Sequence, residues 1–215
     1  MRKTILLSAL MLMAAATPSA AQSWSEGLYV RLFGGASLLL DDTAKLSGIG
    51  SSSVSFDPGS AVGGAVGYAV TRNISTELEL VYRSGNVGRF GNARVGTGGD
   101  YASLAVIGNV LYQLDGWDLG GEQRLRPFAG VGLGFVEEVD FDITGGAAAG
   151  GYSDNGRLAV QLRGGLNWEL GRNWSLSSEV RYFSAGTPKL GGQSGRTLEA
   201  GYDTVDVIFG LAYRF

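Results

Sequence analysis

The sequence predicts an all-β protein, an eight-stranded antiparallel up-and-down transmembrane β-barrel. Three observations carry that prediction. Apolar residues recur at every second position in eight separate segments, which is the period of a strand with one face in an apolar medium. The connections between those segments alternate in length. The chain is 45% hydrophobic and only 17% charged, yet beyond its N-terminus it has no apolar run of about eighteen residues that would make a spanning helix.

The first residues, MRKTILLSALMLMAAATPSAAQ, have the three parts of a secretory leader. Arg2 and Lys3 come first, an apolar core runs from Ile5 to Ala16, and Ser19, Ala20 and Ala21 follow as small residues. The core is too short to span a bilayer, so a cleaved leader is favoured over an anchor helix, with cleavage after Ala21. The expected organisation is a leader at 1–21 and one barrel at 22–215. The chain has no cysteine, so disulfides are not its scaffold after export. Loss of the leader leaves 15 basic residues against 20 acidic ones, a net charge of −5, and that acidity argues against nucleic acid as a partner.

The strands follow in order. Leu28, Val30, Leu32, Ala36 and Leu38 alternate with Tyr29, Arg31, Phe33 and Ser37. Val62, Val66, Tyr68 and Val70 alternate with the small residues Ala61, Gly63, Ala65, Gly67 and Ala69. Thr76, Leu78, Leu80 and Tyr82 alternate with Glu77, Glu79, Val81 and Arg83. Leu104, Val106, Val110, Tyr112 and Leu114 face away from Ser103, Ala105, Asn109 and Gln113. In the fifth segment Ala129, Val131, Leu133, Phe135, Val139 and Phe141 oppose Phe128, Gly130, Gly132, Gly134 and Glu138. Leu158, Val160, Leu162, Leu166, Trp168 and Leu170 oppose Gln161, Arg163, Asn167 and Glu169. Leu176, Val180 and Tyr182 oppose Ser177, Glu179 and Arg181. The last segment, DTVDVIFGLAYRF, sets Val205, Val207, Phe209, Leu211, Tyr213 and Phe215 against Thr204, Asp206, Ile208, Gly210, Ala212 and Arg214. Segments of about ten residues suit tilted strands crossing a bilayer.

Asp41–Asp57, Ser84–Asp100, Thr144–Gly156 and Ser184–Gly201 are long and rich in Gly and Ser. Thr71–Asn73 and Gly171–Asn173 are short, and Asp115–Leu125 is intermediate. Long loops therefore emerge on one side and short turns on the other, as in barrels with long extracellular loops and short periplasmic turns. Tyr68, Tyr112, Trp168 and Trp174 fall near the short turns, and Tyr82, Phe141 and Tyr182 near the long loops. Two such aromatic girdles mark the two faces of a membrane.

With GLYVRLFGGAS, VGGAVGYAV followed by ISTELELVYR, RPFAGVGLGF, WSLSSEVRYF and the closing GLAYRF, the chain resembles the small outer-membrane β-barrel family that includes the OmpA transmembrane domain and the opacity-type surface antigens. The resemblance implies a location in the outer membrane of a Gram-negative bacterium. It also implies a structural or surface-display role, in envelope integrity or through antigen- or adhesin-like loops. The alternative is a small porin or channel for small polar solutes. Expected partners are outer-membrane lipid and lipopolysaccharide, the barrel-assembly machinery during biogenesis, and a host or surface ligand at the long loops. The outward residues Phe209, Leu211, Tyr213 and Phe215 resemble the C-terminal signal that this machinery reads. OmpA itself carries a periplasmic peptidoglycan-binding domain, whereas this sequence ends with the barrel, so peptidoglycan binding is not carried over.

The inward face suggests how the lumen is filled. Strand parity places Arg31, Arg83, Arg163, Arg181 and Arg214 inside, with Glu77, Glu79, Glu169, Glu179 and Asp206. An eight-stranded barrel is just wide enough for its own side chains, and unpaired buried charges each cost several kcal/mol. The expectation is a lumen closed by ion pairs, with a narrow polar channel as the alternative. Arginine's planar fork suits such pairing.

Catalysis finds little support. The chain has no histidine and no cysteine, which removes the general base and proton carrier of several outer-membrane barrel enzymes, thiol nucleophiles and Cys/His metal centres. Glu77 and Glu79 read as lumen ion-pair partners before they read as an acid–base couple. Gly130-Val131-Gly132-Leu133-Gly134 lacks the helix of a nucleotide loop. Asn73-Ile74-Ser75 and Asn173-Trp174-Ser175 read as turns. Asp41-Asp42 and Asp140-Phe141-Asp142 lack the ligand spacing of a calcium loop. No enzyme activity, cofactor or metal is expected.

Overall fold

The computed structural model describes residues 27–40, 42–46, 50–90, 98–144, 149–154, 156–187, 189–192, 197–199 and 201–215. The expected leader and its cleavage position lie outside the described residues. Eight long strands form the barrel: β1 Leu28–Leu39, β2 Gly59–Ala69, β3 Ile74–Phe90, β4 Gly98–Gln113, β5 Gln123–Thr144, β6 Arg157–Leu170, β7 Trp174–Ser184 and β8 Asp203–Arg214. Each pairs antiparallel with its sequence neighbour, and β8 pairs back onto β1 from Tyr29 opposite Arg214 to Leu39 opposite Thr204. Closure leaves the ring of eight long strands without a free edge, which is what a β-protein needs where no water can satisfy the backbone.

The outward residues form an apolar belt. Leu32, Leu78, Leu133, Leu158 and Phe209 are each more than 60% exposed, so water is the wrong medium for this surface and lipid the right one. Tyr68, Tyr112, Trp168, Trp174 and Tyr182 are likewise exposed at the two margins, as two interfacial girdles require. The side chain of Phe141 lies outside the described residues. At the end of β8, Tyr213 packs edge-on between Trp174, at 4.9 Å, and Phe215, at 5.3 Å between ring centroids.

The interior is shaped by strands with small inward residues. On β2, Ala61 and Ala65 are buried, and Gly63 and Gly67 face the rings of Phe33 and Tyr29 from β1 so closely that a Cβ at either position would clash. Tyr29 and Phe33 thus lie over β2 instead of jamming the lumen. The inward glycines of β5 similarly leave room for Ile107, Asn109 and Leu111 of β4.

Two expectations are corrected. The long connections are not simply loops: β3, β4 and β5 continue well beyond the expected strand ends, and short strands Asp42–Leu46, Gly50–Phe56, Gly150–Asp154, Lys189–Gly192 and Thr197–Glu199 join them. Their pairings run from β3 through Gly50–Phe56, Asp42–Leu46, Thr197–Glu199, Lys189–Gly192 and Gly150–Asp154 to β5, then through β4 back to β3. This is a second closed circuit of strands stacked on the first. On the opposite side, Trp117–Gly120 extends the Asp115–Leu125 connection as a hairpin with the start of β5.

The second correction concerns the parity of β5. A register shift opposite Leu104 and Ala105 leaves Glu137 as an extra residue, a β-bulge that moves later side chains to the other face. Val136 and Ile143 are consequently both buried, although a regular strand would put residues seven apart on opposite faces. The single face assigned above to Leu133, Phe135 and Val139 therefore does not run unbroken through the bulge.

Candidate functional site

The lumen of the barrel is the candidate site, and its middle is a layer of charge. Arg31 donates from Nη1 to Glu179 Oε1 at 2.7 Å and from Nη2 to Glu77 Oε2 at 2.9 Å and Glu79 Oε2 at 3.3 Å. Arg163 donates from Nη1 to Glu77 Oε2 at 2.6 Å and from Nε to Glu179 Oε2 at 2.9 Å. Arg181 donates to Glu79 Oε1 at 3.0 Å and Glu179 Oε1 at 2.6 Å. Three guanidinium groups and three carboxylates thus neutralise one another, all buried.

The backbone register explains how residues from four strands converge. Arg31 on β1, Ala65 on β2 and Glu79 on β3 stand in one row, so the small Ala65 lets Arg31 reach past β2. Arg163 and Arg181 stand opposite each other on β6 and β7, with carboxylates on either side to offset their repulsion. At about 3 Å, an effective dielectric constant of about 20 gives roughly 5 kcal/mol of attraction per pair. Dehydrating each ion costs a similar several kcal/mol. Net stabilisation is therefore modest, while the loss of any one member strands its partners.

A second pair lies nearer the long connections. Arg83 donates from Nε to Asp206 Oδ2 at 2.9 Å, and Ser37 donates to Asp206 Oδ1 at 2.6 Å. Gln161 joins the two groups, accepting from Arg83 at 3.4 Å and donating to Glu79 at 3.4 Å and Asn109 at 3.0 Å. Phe183 lies under the Arg83 guanidinium at 4.3 Å. Beyond it, Phe183, Tyr202, Tyr101 and Phe56 form an edge-to-face series. Leu39 and Ile143 are buried in the same apolar cluster. Tyr202 also shares a 2.6 Å hydrogen bond with Ser103. The lumen thus holds two layers, one of ion pairs and one of aromatic rings. On the short-turn side of the ion pairs a cavity of about 480 Å³ extends to the turns.

The structure brings together Arg31, Glu77, Glu79, Arg163, Glu179 and Arg181, and separately Arg83 with Asp206. It does not bring in the remaining two expected residues. Glu169 approaches Arg126 instead, at 3.6 Å. Arg214 is exposed at the short-turn rim, because the inward face of β8 leaves the packed lumen there. Sequence reasoning passed over Tyr29, which donates to Glu77 Oε1 at 3.0 Å, and the amides of Asn109 and Gln161. Their parity already marked them as inward, and an inward amide beside charged rows is the signal that would have found them. Arg126 was missed because it stands next to a segment read as a connection.

Comparison with known proteins gives a consistent picture. The sequence profile of the family described as outer membrane protein beta-barrel domain matches residues 6–215. Outer membrane protein AlkL of Ectopseudomonas oleovorans is 38% identical over 69 residues, which is 32% of this chain and 29% of AlkL. The matched stretch therefore spans less than a third of that relative. The solid-state NMR structure of AlkL in lipid bilayers has a TM-score of 0.54 at 22% identity, covering 94% of this chain and 98% of that one. OprG from Pseudomonas aeruginosa has a TM-score of 0.57 at 15% identity over 91% and 100% of the two chains. Neisserial surface protein A has 0.55 at 15% over 88% and 97%. At these identities the structural likeness is one of fold.

Proposed function

The chain belongs to the outer membrane protein beta-barrel family and is an outer-membrane protein, and from that premise we propose that it is a closed barrel whose role is structural and surface-displaying. The observation that carries this reading is the pair of layers in series across the lumen, ion pairs and then aromatic rings. Water and ions would have to break both to pass. The stacked second circuit supports display, because its hydrogen-bonded strands carry the described parts of the Gly- and Ser-rich connections beyond the eight-stranded barrel. Lipopolysaccharide and outer-membrane lipid would surround the apolar belt. The barrel-assembly machinery would meet Phe209, Leu211, Tyr213 and Phe215 on the outer face of β8.

Planar-bilayer conductance of the refolded protein tests this reading, with heat-dependent gel mobility as proof of folding. A folded barrel should stay silent, and reproducible current steps would overturn closure. The absence of cysteine permits a test of display as well. A cysteine at exposed Gly191 should react with a membrane-impermeant maleimide on intact cells, while one at Arg72 should react only after lysis. The opposite pattern would invert the topology.

A second reading, a narrow channel for small polar solutes, has one specific observation in its favour. The cavity of about 480 Å³ already covers part of the path, and Arg31, Glu77 and Arg163 form its floor. Conductance would move this reading to first place.

A further inference from the structure

We propose that the cavity at the short-turn end of the lumen is a binding site for a small organic phosphate. Seven arginines line this cavity against three carboxylates, Glu77, Asp115 and Glu169, in a chain whose formal net charge is −3. The positive charge is therefore gathered in one cleft against the sign of the whole molecule. A cleft with walls of low dielectric constant focuses such a field on an entering anion.

Much of this charge is unspent. Arg31 and Arg163, on the floor, are committed to Glu77, Glu79 and Glu179. Arg72, Arg124 and Arg214 line the wall with no ion pair among the described residues. Arg126 is held in place by the backbone carbonyls of Leu114 and Arg72, at 3.1 and 2.9 Å, and meets Glu169 at the longer distance of 3.6 Å. Arg172 reaches Glu122 only on the exposed surface, at 3.3 Å. Three buried polar atoms of lining residues, the Nε of Arg31 and the Oγ atoms of Ser75 and Ser177, have no hydrogen-bond partner. Arg31 is 95% buried, its residue exposure being 5%, and a buried donor with nothing to donate to is costly unless a ligand completes it.

Guanidinium forks match the oxygens of a phosphate in pairs, and several forks around one cleft favour a doubly charged anion over chloride. The same wall carries Leu111 and Phe128, an apolar surface for the organic part of an ester. A volume of about 480 Å³ lies within the range of roughly 300–1,000 Å³ usual for small-molecule sites. The phosphate could be free in the periplasm or be part of a lipid headgroup.

The test is titration calorimetry of the protein refolded in non-ionic detergent, with glycerol phosphate as probe, alongside the triple variant R72Q/R124Q/R214Q. These three side chains take no part in the ion-pair layer, and heat-dependent gel mobility confirms that each sample is folded. Should the triple variant not fold, Arg214→Gln alone is the fallback. The expected result is saturable binding that weakens at least tenfold in the triple variant, or measurably in the single one, and falls with added salt. No saturable binding at millimolar probe, or equal affinity in the variants, would overturn the site. Nanodiscs of phosphatidylglycerol and of phosphatidylcholine separate the sources. Glycerol phosphate binding that is equal in both places a free phosphate in the cavity, and competition by phosphatidylglycerol alone assigns the same site to a headgroup. A preference for phosphatidylglycerol without any glycerol phosphate binding would move the contact to the outer wall and overturn the proposal.

Discussion

Arg163, like Arg31, meets three buried carboxylates in the lumen. It lies 2.6 Å from Glu77, 3.5 Å from Glu79 and 2.8 Å from Glu179, and its side chain is 1% exposed. Truncation to alanine would leave three buried carboxylates sharing two cations. The expected cost is about 3 kcal/mol, from the penalty of leaving a buried charge uncompensated. Arg214→Ala, by contrast, removes an exposed side chain and should change stability by less than about 0.5 kcal/mol. Urea unfolding midpoints of both variants in the same lipid or detergent check the contrast, and equal midpoints would remove Arg163 from the network. Both arginines carry the same inward parity, so sequence periodicity gave them equal standing. What separates them is depth along the barrel, and that depends on the strand stagger that only the closed register reveals.

At the scale of the element, β5 shows how far alternation can be read and where it stops. The outward position of Leu133 was legible because its neighbours alternate with the inward Gly130, Gly132 and Gly134, and the residue is indeed 63% exposed. Leu133→Arg should therefore destabilise the barrel in a bilayer by roughly 2–4 kcal/mol, the cost of a cation on the lipid face near mid-membrane. Unfolding equilibria in phospholipid vesicles measure it, and an unchanged free energy would mean that this face does not meet lipid. The bulge at Glu137 was not legible. Alternation assumes one residue per step, and nothing in VEEVDF marks which residue loses its partner. The upper strands were missed for a related reason. Segments such as GSSSVSF and KLGG carry no two-residue apolar period, so their pairing rests on backbone hydrogen bonds that leave little trace in side-chain type.

At the scale of the whole molecule, the strand number, the closure and the membrane location all follow from local patterns repeated eight times. The state of the lumen does not, because it depends on how layers from different strands stack. The ion-pair layer was foreseeable from parity. The aromatic layer was not, since Tyr101 and Tyr202 border segments that read as loops and meet Phe183 only once the barrel has closed. Two barriers in series make a specific prediction, because ions pass only when both are open. Removing Glu79 and Arg181 together deletes a matched pair and keeps the net charge, so the double alanine variant opens space in the polar layer without stranding a net charge. The aromatic layer above it remains, and planar-bilayer recordings should stay silent. Adding Tyr202→Ala removes the ring that bridges Tyr101 and Phe183 and should produce discrete current steps. Steps from the double variant alone would show that the ion pairs are the whole seal. Silence from a folded triple variant would place a further barrier in the upper circuit of strands.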